Sequence, residues 1–361
     1  MRIGICGAGV GGLSAGIGLK ALGHDVEVFE RSPALRATGA GLMLWPNGVR
    51  AIYGLGLRDQ FDAIAVKIGS FRNYDSSGKL LFEKDTSDWP AKYAAPVIAV
   101  NRWTLSSMLA EAFGADALRF DHEVVSAETT SEKARAHFSN GTSYEGDALI
   151  AADGLHSVIR DKLIGGVDFH PSEHHAFRWR AIFDLDELDI DPGAQTGYYD
   201  PAGWVAFLPI GNGKAYWFGS SSKASTTGEF IELFGSWKST PIPKALRITP
   251  REAIIQSALD VAEGLPAKWT HGRITLLGDA AHPPIPDLAQ GAGQALIDSK
   301  VLRDAFAKTN DIDQALDEYD RLRRDAAYYV MQCSLKGSFL GANKVDPIAV
   351  RYEREIEAMG A

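Results

Sequence analysis

The sequence predicts an α/β protein with a Rossmann-like first domain, an inserted α+β domain built on an antiparallel sheet, and C-terminal helices. Three stretches lead to this fold class. A glycine-rich strand–turn–helix pattern opens the chain, residues 165–262 are rich in aromatic and β-branched residues, and a buried apolar strand in residues 274–277 ends on Gly278-Asp279. Together they indicate a parallel sheet interrupted by a second sheet.

The N-terminal stretch has the order of a dinucleotide fold. The apolar run Ile3–Cys6 is followed by Gly7, Gly9 and Gly12 in G-x-G-x-x-G spacing, and a second apolar run ends on Glu30. Glycines permit the tight turn, let a pyrophosphate approach the backbone and let the helix lie close to the strands. The helix N-terminus would face the phosphates, and Glu30 would accept a ribose hydroxyl. The alternative is a glycine-rich turn without a ligand.

The next part of the chain alternates between strands and helices. Residues 33–58 read as a loop and then a helix that begins at residues 45–48, and residues 66–82 as a hairpin turning at 76–78. Residues 97–113 predict a strand end and then a helix that begins at Arg102. A cation at a helix N-terminus is disfavoured by the helix dipole, which makes a functional role for Arg102 more plausible.

Residues 117–151 predict a β-meander. Its last apolar run, Asp147–Ala152, is expected to return to the main sheet as a buried parallel strand, and a helix should begin near Ser157 and Arg160. That run ends on Asp153-Gly154. Ligands bind open α/β sheets at the carboxyl ends of such strands.

Residues 165–262 predict the antiparallel sheet of the second domain. Its strands are expected at FRWRAIFDL, TGYYD, GWVAFLPI and KAYWFGSSS, with covering helices near 228–237 and 251–260. After the strand at 274–277 comes a proline-rich loop, and Gln290 to Gly293 open a helix that runs through Ile297. The remainder, to Ala361, reads as a charged helical covering face.

Composition excludes several classes of protein. The chain has 361 residues, 45% apolar and 23% charged, with a formal net charge of −9. This charge argues against a nucleic-acid or anionic-membrane partner. The two cysteines, Cys6 and Cys333, form neither a disulfide framework nor a metal-ligand spacing, so we expect no metal. Without a convincing membrane span we expect a cytoplasmic protein, as a monomer or homodimer.

Three motifs in this order resemble those of the group A FAD-dependent aromatic monooxygenases, which are related to p-hydroxybenzoate hydroxylase. They are GAGVGG with Glu30, the Asp-Gly motif in ALIAADGLHSVIR, and the Gly-Asp motif in LLGDAAHPPIPDLAQGAGQALID. Within the family, the stretches WPNGVR and GWVAFLPI look most like urate hydroxylases and salicylate-hydroxylase-like enzymes. The resemblance covers nearly the whole chain.

The resemblance implies a division into three parts. These are an FAD-binding domain of residues 1–70, 98–165 and 265–300, a substrate-binding sheet domain of residues 71–97 and 166–264, and a C-terminal helical segment of residues 301–361. It also implies which residues contact FAD. They are Gly7, Gly9, Gly11, Gly12, Glu30, Arg31, Met43, Arg102, Val124, Asp153, Asp279, Ala289, Gln290, Gly291, Ala292 and Gly293. Elementary physics agrees for the helix at Gln290–Gly293, because its N-terminal amides suit the negative pyrimidine side of a reduced flavin.

The implied activity is hydroxylation of a small aromatic or N-heteroaromatic substrate. NADH or NADPH would reduce FAD, and O₂ would form a flavin C4a-hydroperoxide that transfers an OH group. Candidate catalytic residues are Tyr216, Arg180 and His282, of which His282 is better suited to fixing its loop. Trp204 and Pro284 are expected in the substrate pocket. Alternatives are an epoxidase or reductase of the same fold, a simple NAD-dependent dehydrogenase, or a non-catalytic FAD-binding protein.

Two positions depart from the family pattern. Ala289 stands where the family usually has glycine, which is tolerable if its φ is negative. Trp204 stands where urate hydroxylases have an arginine. An indole can stack on an aromatic ring but cannot pair with an anionic purine, so urate itself is a doubtful substrate.

Overall fold

The computed structural model describes residues 1–36, 40–171, 177–336 and 348–353. It contains ten α-helices in this part of the chain, which are α1 (Val10–Ala21), α2 (Pro46–Gly54), α3 (Arg58–Asp62), α4 (Trp89–Tyr93), α5 (Arg102–Phe113), α6 (Thr227–Gly235), α7 (Ile242–Ile248), α8 (Gly291–Lys308), α9 (Ile312–Lys336) and α10 (Ile348–Arg351). None of these described helices is long and apolar enough to cross a membrane.

The described strands number twenty-one. They are β1 (Arg2–Cys6), β2 (Asp25–Phe29), β3 (Gly41–Leu44), β4 (Val66–Lys67), β5 (Ser70–Asp75), β6 (Leu80–Asp85), β7 (Ile98–Asn101), β8 (Leu118–Arg119), β9 (Val124–Thr129), β10 (Ala134–Phe138), β11 (Ser143–Gly146), β12 (Ala148–Ala151), β13 (Asp168–Pro171), β14 (Phe177–Asp184), β15 (Ala194–Asp200), β16 (Gly203–Gly211), β17 (Lys214–Ser221), β18 (Ile255–Ala258), β19 (Asp260–Glu263), β20 (Thr270–His271) and β21 (Ile274–Leu276).

The first sheet is the predicted Rossmann-like sheet. Its strand order is β20-β21-β12-β1-β2-β8, and all neighbours except β20 and β21 run parallel. The apolar run that includes β12 is therefore confirmed as a buried parallel strand beside β1. The four residues of β12 are completely buried, as is expected when helices or other layers cover both faces of a parallel sheet.

The second sheet has seven strands in the order β18-β14-β17-β16-β15-β5-β6. All of its pairs are antiparallel except β15 with β5. One face is covered by α6 and α7 around a core that contains Trp179, Phe207 and Trp217, and the other face looks towards the first sheet. The predicted aromatic strands of residues 165–262 are confirmed as this sheet.

One predicted helix of the second domain is wrong. The helix expected near 251–260 is a single 3₁₀ turn, Arg251–Ala253, followed by strand β18, whereas the real helix α7 lies earlier. Pro241 precedes the first turn of α7, and Pro250 directly follows its last cap residue, so two prolines delimit it. Ile255 and its neighbours instead pair with the open edge of β14. A sequence pattern does not reveal such a tertiary pairing.

The C-terminal part combines a long helix with residues outside the described range. Helix α8 extends to Lys308, well beyond Ile297, and α9 follows it closely. From residue 301 onwards the described residues include the end of α8, all of α9 and α10, whereas the division of the chain at residue 301 stays a prediction, since α8 crosses it. Residues 337–347 and 354–361 lie outside the described residues.

Candidate functional site

The parallel sheet brings the three sequence motifs to one edge. Strands β1, β2, β12 and β21 all end there, and they are followed by Gly7, Glu30, Asp153 and Gly278. These residues are far apart in the chain, and only the parallel order of the strands makes them neighbours. The carboxyl edge of such a sheet, where the strand order reverses, is the usual place for a nucleotide.

The glycines of the first turn leave no room for side chains, except where a ligand would lie. A Cβ on Gly7, whose φ is +111°, would come 2.1 Å from the backbone oxygen of Ala152, and one on Gly12 would come 1.9 Å from Gly7 O. A Cβ on Gly9 would meet nothing within 4 Å. The first helical hydrogen bond of α1 joins Leu13 N to Gly9 O at 3.0 Å. The amides before Leu13 therefore lack helical acceptors.

The first cavity, which we call the glycine-loop cavity, has a volume of about 320 Å³. Its wall includes seven of the predicted cofactor residues, namely Gly7, Gly9, Glu30, Arg31, Arg102, Val124 and Asp153. Glu30 is held in place because its carboxylate accepts the amides of Ala8 and Ser32, each at 3.0 Å. Two histidines of the wall, His122 and His156, were not predicted: no motif surrounds His122, and His156 lies within the Asp-Gly motif without an assigned role.

Asp153 is fixed by the turn that follows it. Its Oδ1 accepts the Ser157 hydroxyl at 2.6 Å. Burial raises the pKa of Asp153, although this hydrogen bond opposes the rise. The helix predicted near Ser157 is present only as a short turn that includes the π-helical residues Arg160–Ile164. Asp153 therefore stabilises the turn up to Ser157 and also lies in the wall of the glycine-loop cavity.

The second cavity, which we call the sheet cavity, has a volume of about 540 Å³ and lies under the seven-stranded sheet. Because side chains alternate along a strand, one face of the sheet supplies its wall. That face contributes Arg178, Arg180, Gln195, Tyr199, Trp204, Ala206, Leu208, Tyr216 and Phe218. Aromatic rings dominate this wall: Trp204 lies edge-on to Phe218 with ring centres 5.5 Å apart. Tyr216 stacks on Phe218 at 5.1 Å.

Positive charge surrounds Tyr216. Burial raises the pKa of Tyr216 to about 12, even though the charges of Arg180, Arg102 and Arg178 oppose the rise. The hydroxyl is therefore neutral at physiological pH and can donate a hydrogen bond. Arg180 is half-buried, and its Nη1 donates to Ser257 Oγ at 2.7 Å. No acidic side chain in the described ranges forms a salt bridge with Arg180.

An ion pair that the sequence did not predict crosses from the sheet to the proline-rich loop. Arg178 Nη2 donates to Asp287 Oδ1 at 2.5 Å, and both side chains are almost fully buried. The other carboxylate oxygen of Asp287 is buried and has no hydrogen-bond partner among the described residues. The alternation of FRWRAIFDL places Arg178 and Arg180 on one face of the strand, so the sequence could have indicated that both arginines face the cavity. Its partner could not be deduced from sequence.

The wall opposite the sheet consists of the loops that flank β21 and α8. Asp279, Pro284, Ala289, Gly291 and Ala292 line the sheet cavity from this side, and Gly11, Gly12 and Met43 complete it. Burial raises the pKa of Asp279, which the charges of His282 and Arg102 oppose. The first α8 hydrogen bond joins Gln294 N to Gln290 O at 2.8 Å, so the amides just before Gln294 are available to a ligand.

The condition under which alanine would be unstrained at position 289 is not met. Its φ is +50° and its ψ is 36°, so an alanine occupies the left-handed region where the family usually has glycine. The Cβ of an L-residue is strained there by roughly 1–2 kcal/mol. The turn between the proline-rich loop and α8 requires this backbone geometry, and the surrounding packing imposes it on alanine.

Three predicted site residues line neither cavity. His282 is buried, and its Nε2 lies 2.5 Å from Asp298 Oδ2, so the structure gives it no access to a substrate. The Oε1 of Gln290 accepts hydrogen bonds from Asn47 and Gln294 instead of facing the cavity. Gly293 packs against Gly48, where a Cβ would come 2.9 Å from the Gly293 Cα. The side chains of His282 and Gln290 and the close packing of Gly293 thus support the start of α8, while contact of the Gln290 and Gly293 backbone with FAD stays a prediction.

A buried polar network supports both loops from behind. Asp298 accepts the amide of Gly278 at 2.9 Å, and Arg323 on α9 donates to Asp298 at 2.7 Å and to Gln294 at 2.6 Å. Burial would raise the pKa of Asp298, but the charges of His282 and Arg323 hold it at about 2. The C-terminal helix thus sets the position of the Gly278-Asp279 turn.

The residues present fit a dinucleotide with a planar ring at one end. Gly9, Arg102, Ala152 and Gly154 line both cavities, which therefore adjoin each other at the sheet edge; we call the two together the groove. The glycine-loop cavity offers a carboxylate for a ribose, and the shared part offers the unpaired amides of α1 for a pyrophosphate. The sheet cavity offers glycine backbone and helix amides for the ring.

Comparisons with known proteins agree with this geometry. Residues 1–334 match the family model described as FAD binding domain. The chain is 31% identical to 3-amino-4-hydroxybenzoate 2-monooxygenase from Streptomyces cremeus over 334 residues, covering 90% of this chain and 83% of that protein. It is 29% identical to an FAD-dependent urate hydroxylase from Klebsiella pneumoniae over 338 residues, covering 90% and 86%.

A solved structure shows the same fold with FAD. It is a variant of HpxO from Klebsiella pneumoniae, complexed with FAD, with a TM-score of 0.86 and 26% identity. The match covers 93% of this chain and 89% of that chain. The predicted resemblance to FAD-dependent aromatic monooxygenases is confirmed, and FAD is the cofactor. The chain belongs to the FAD binding domain family and is an FAD-dependent monooxygenase.

Proposed function

We propose that this protein hydroxylates a small aromatic or N-heteroaromatic substrate with electrons from NADH or NADPH and one oxygen atom from O₂. The observation that carries the proposal is the sheet cavity. Its wall is mainly aromatic on the sheet side and includes Gly291 and the first amides of α8 on the opposite side. A planar substrate would stack among Trp204, Phe218 and Tyr216. The activities of the relatives named above support the same class of substrate.

We propose that FAD occupies the groove with its adenosine at Glu30 and its flavin at α8. Gly7, Gly9, Gly11 and Gly12 would hold the pyrophosphate, and Asp279 the ribityl chain. Arg31, Met43, Arg102, Val124 and Asp153 would complete the cofactor site, together with Ala289, Gly291 and Ala292. Bound FAD supplies hydride acceptance and oxygen activation. The protein supplies binding, orientation and exclusion of water.

Two side chains of the sheet are proposed to act on the substrate. Tyr216 would donate a hydrogen bond to a ring oxygen or nitrogen, because its raised pKa keeps the hydroxyl protonated. Arg180 would bind an anionic substituent, since Ser257 is its hydrogen-bond partner and no described acid neutralises it. Trp204 and Pro284 would form apolar walls. His282 is not part of this proposal, because it is buried behind the loop.

The test combines a spectrum with turnover. The purified protein should show the visible spectrum of an oxidised flavin. NAD(P)H oxidation should then be stimulated by one member of a panel of phenolic and N-heteroaromatic acids, with little H₂O₂ released. Each acid should be paired with its neutral amide, because Arg180 predicts that the acid is preferred. A flavin spectrum with no stimulation by any member would contradict the proposed hydroxylase activity.

A further inference from the structure

The match to the family model ends at residue 334, and the C-terminal segment Ile348–Glu353 lies beyond it. It nevertheless reaches the sheet cavity. Ile348 is half-buried and lines that cavity, and it packs in the same apolar cluster as Tyr216, Phe218 and Ala289. The segment therefore adds to the substrate end a wall that the family motifs do not supply.

An aromatic stack holds this segment in place. Tyr352 is almost fully buried and stacks on Trp45 with ring centres 4.7 Å apart and an interplanar angle of 11°. Trp45 stacks in turn on Phe71 at 5.3 Å. The indole of Trp45 donates to Leu288 O at 2.8 Å, next to the strained Ala289. The position of Tyr352 is thereby linked to the loop that faces the flavin site.

Ion pairs add a second anchor. Glu353 Oε2 lies 2.9 Å from Lys84 Nζ, and Glu353 Oε1 lies 3.4 Å from Lys92 Nζ. The two lysines lie on β6 and at α4, so they come from another part of the chain. Partly exposed pairs of this kind contribute little to stability, and they serve chiefly to select one position. The stack with Trp45 is the buried anchor of the two, since both of its rings are almost fully buried.

We propose that the segment Ile348–Glu353 determines substrate specificity, with Ile348 as the contacting residue and Tyr352 and Glu353 as positioning residues. The proposal rests on the proposed hydroxylase function. Ile348 limits the length of the substrate that fits beside Tyr216. The anchored segment also closes the substrate end against water, which keeps reducing equivalents from being lost as H₂O₂.

The first experiment changes Ile348 and compares substrates of two sizes. Ile348→Ala should lower kcat/KM for the preferred substrate about tenfold and favour an analogue that is larger by one or two methyl groups, since each methylene in an apolar pocket changes discrimination by roughly that factor. FAD content should stay unchanged. Ile231→Ala is the matched control, because Ile231 is half-buried on α6 against the opposite face of the sheet.

The second experiment measures coupling, which is the fraction of NAD(P)H oxidation that yields hydroxylated product instead of H₂O₂. Tyr352→Ala should raise the fraction of NAD(P)H oxidation that ends as H₂O₂, and Tyr352→Phe, which keeps the ring, should restore wild-type coupling. Tyr328→Ala is the control, because Tyr328 is exposed on α9. If wild-type protein hydroxylates its substrate and both Ile348→Ala and Tyr352→Ala leave size preference and coupling unchanged, this inference is wrong. If wild-type protein shows no hydroxylation at all, the failure lies in the proposed function.

Discussion

The two ends of the groove are built in different ways. The glycine-loop end uses backbone amides, glycines without room for a Cβ, and one acid at a strand end. The sheet end uses side chains that alternate along four strands and meet only in the folded state. In the proposed function the first end binds the cofactor shared by the family, and the second end binds the substrate that distinguishes one member from another. The cofactor end should therefore tolerate few changes, and the substrate end should be adjustable.

The largest predicted effect concerns the glycines of the first turn, some of which are needed for packing and one for ligand space. Gly12→Ala should cost about 3 kcal/mol or more of unfolding free energy, because its Cβ would lie 1.9 Å from Gly7 O. Gly9→Ala should leave the stability of the apoprotein unchanged and weaken only FAD binding, because its Cβ enters the ligand space. Urea unfolding of the apoprotein and FAD titration separate the two effects.

The matched control for this pair is Gly235→Ala at the end of α6, where a Cβ would also meet nothing within 4 Å. It should change neither stability nor FAD affinity appreciably. Equal FAD affinity in Gly9→Ala and Gly235→Ala would show that the space above Gly9 does not belong to the cofactor.

A second prediction concerns the support behind the cofactor loops. The pKa of Asp298 is about 2 in the folded protein and near 3.8 when unfolded. Because the pKa of Asp298 is lower in the folded than in the unfolded protein, its ionised carboxylate stabilises the fold above pH 4. This contribution of about 2 kcal/mol to the unfolding free energy is lost as the pH falls from 4 towards 2. Unfolding free energies of wild type and Asp298→Asn, measured over this range at fixed FAD, should converge. Parallel curves would contradict the ionised Asp298.

A third prediction addresses the substrate end. Tyr216→Phe should lower kcat for hydroxylation about tenfold through loss of one hydrogen bond, while FAD stays bound. Because the pKa of Tyr216 is about 12, its titration should not appear in the kcat profile between pH 6 and 9. Tyr198→Phe is the control, because Tyr198 has a similarly raised pKa but faces the core on the other side of the sheet. Unchanged coupled turnover in Tyr216→Phe would show that the Tyr216 hydroxyl has no role in hydroxylation.

The smallest predicted effect is at the strained alanine. Ala289→Gly should stabilise the protein by about 1 kcal/mol, because glycine accepts a φ of +50° without strain. Ala94→Gly should give a similar gain, since Ala94 has a φ of +59° at the end of α4 and is in the wall of neither cavity. Only Ala289→Gly should alter the flavin spectrum. An identical spectrum in both variants would show that Ala289 does not contact the flavin.

The same contrast explains what could be read from the sequence. The motifs at Gly7, Glu30, Asp153 and Asp279 were predictable because backbone geometry and strand ends impose local residue patterns. The conformation of Ala289 was not, because the family turn overrides the preference of alanine. Arg178 and Asp287 lie 109 residues apart in the chain, and Ile348 lies beyond the matched family region. No local pattern encodes contacts of this kind.

The misplaced helix near 251–260 has the same origin. Its residues are compatible with a helix in isolation, and only the free edge of β14 makes β18 the better state. His282 likewise stands in a loop that the motif places at the cavity, yet its imidazole turns inwards to Asp298. The sequence analysis expected His282 to fix its loop rather than to act on the substrate, and this inward contact agrees with that expectation.

The most direct measurement is turnover under ¹⁸O₂ with the panel member that stimulates NAD(P)H oxidation most. A monooxygenase inserts one oxygen atom from O₂ into the substrate and reduces the other to water with two electrons from NAD(P)H. The product should therefore carry a single ¹⁸O atom, formed in equal amount to the NAD(P)H oxidised. A product without ¹⁸O, or oxidation that yields only H₂O₂ with every panel member, would contradict a hydroxylase built on this groove.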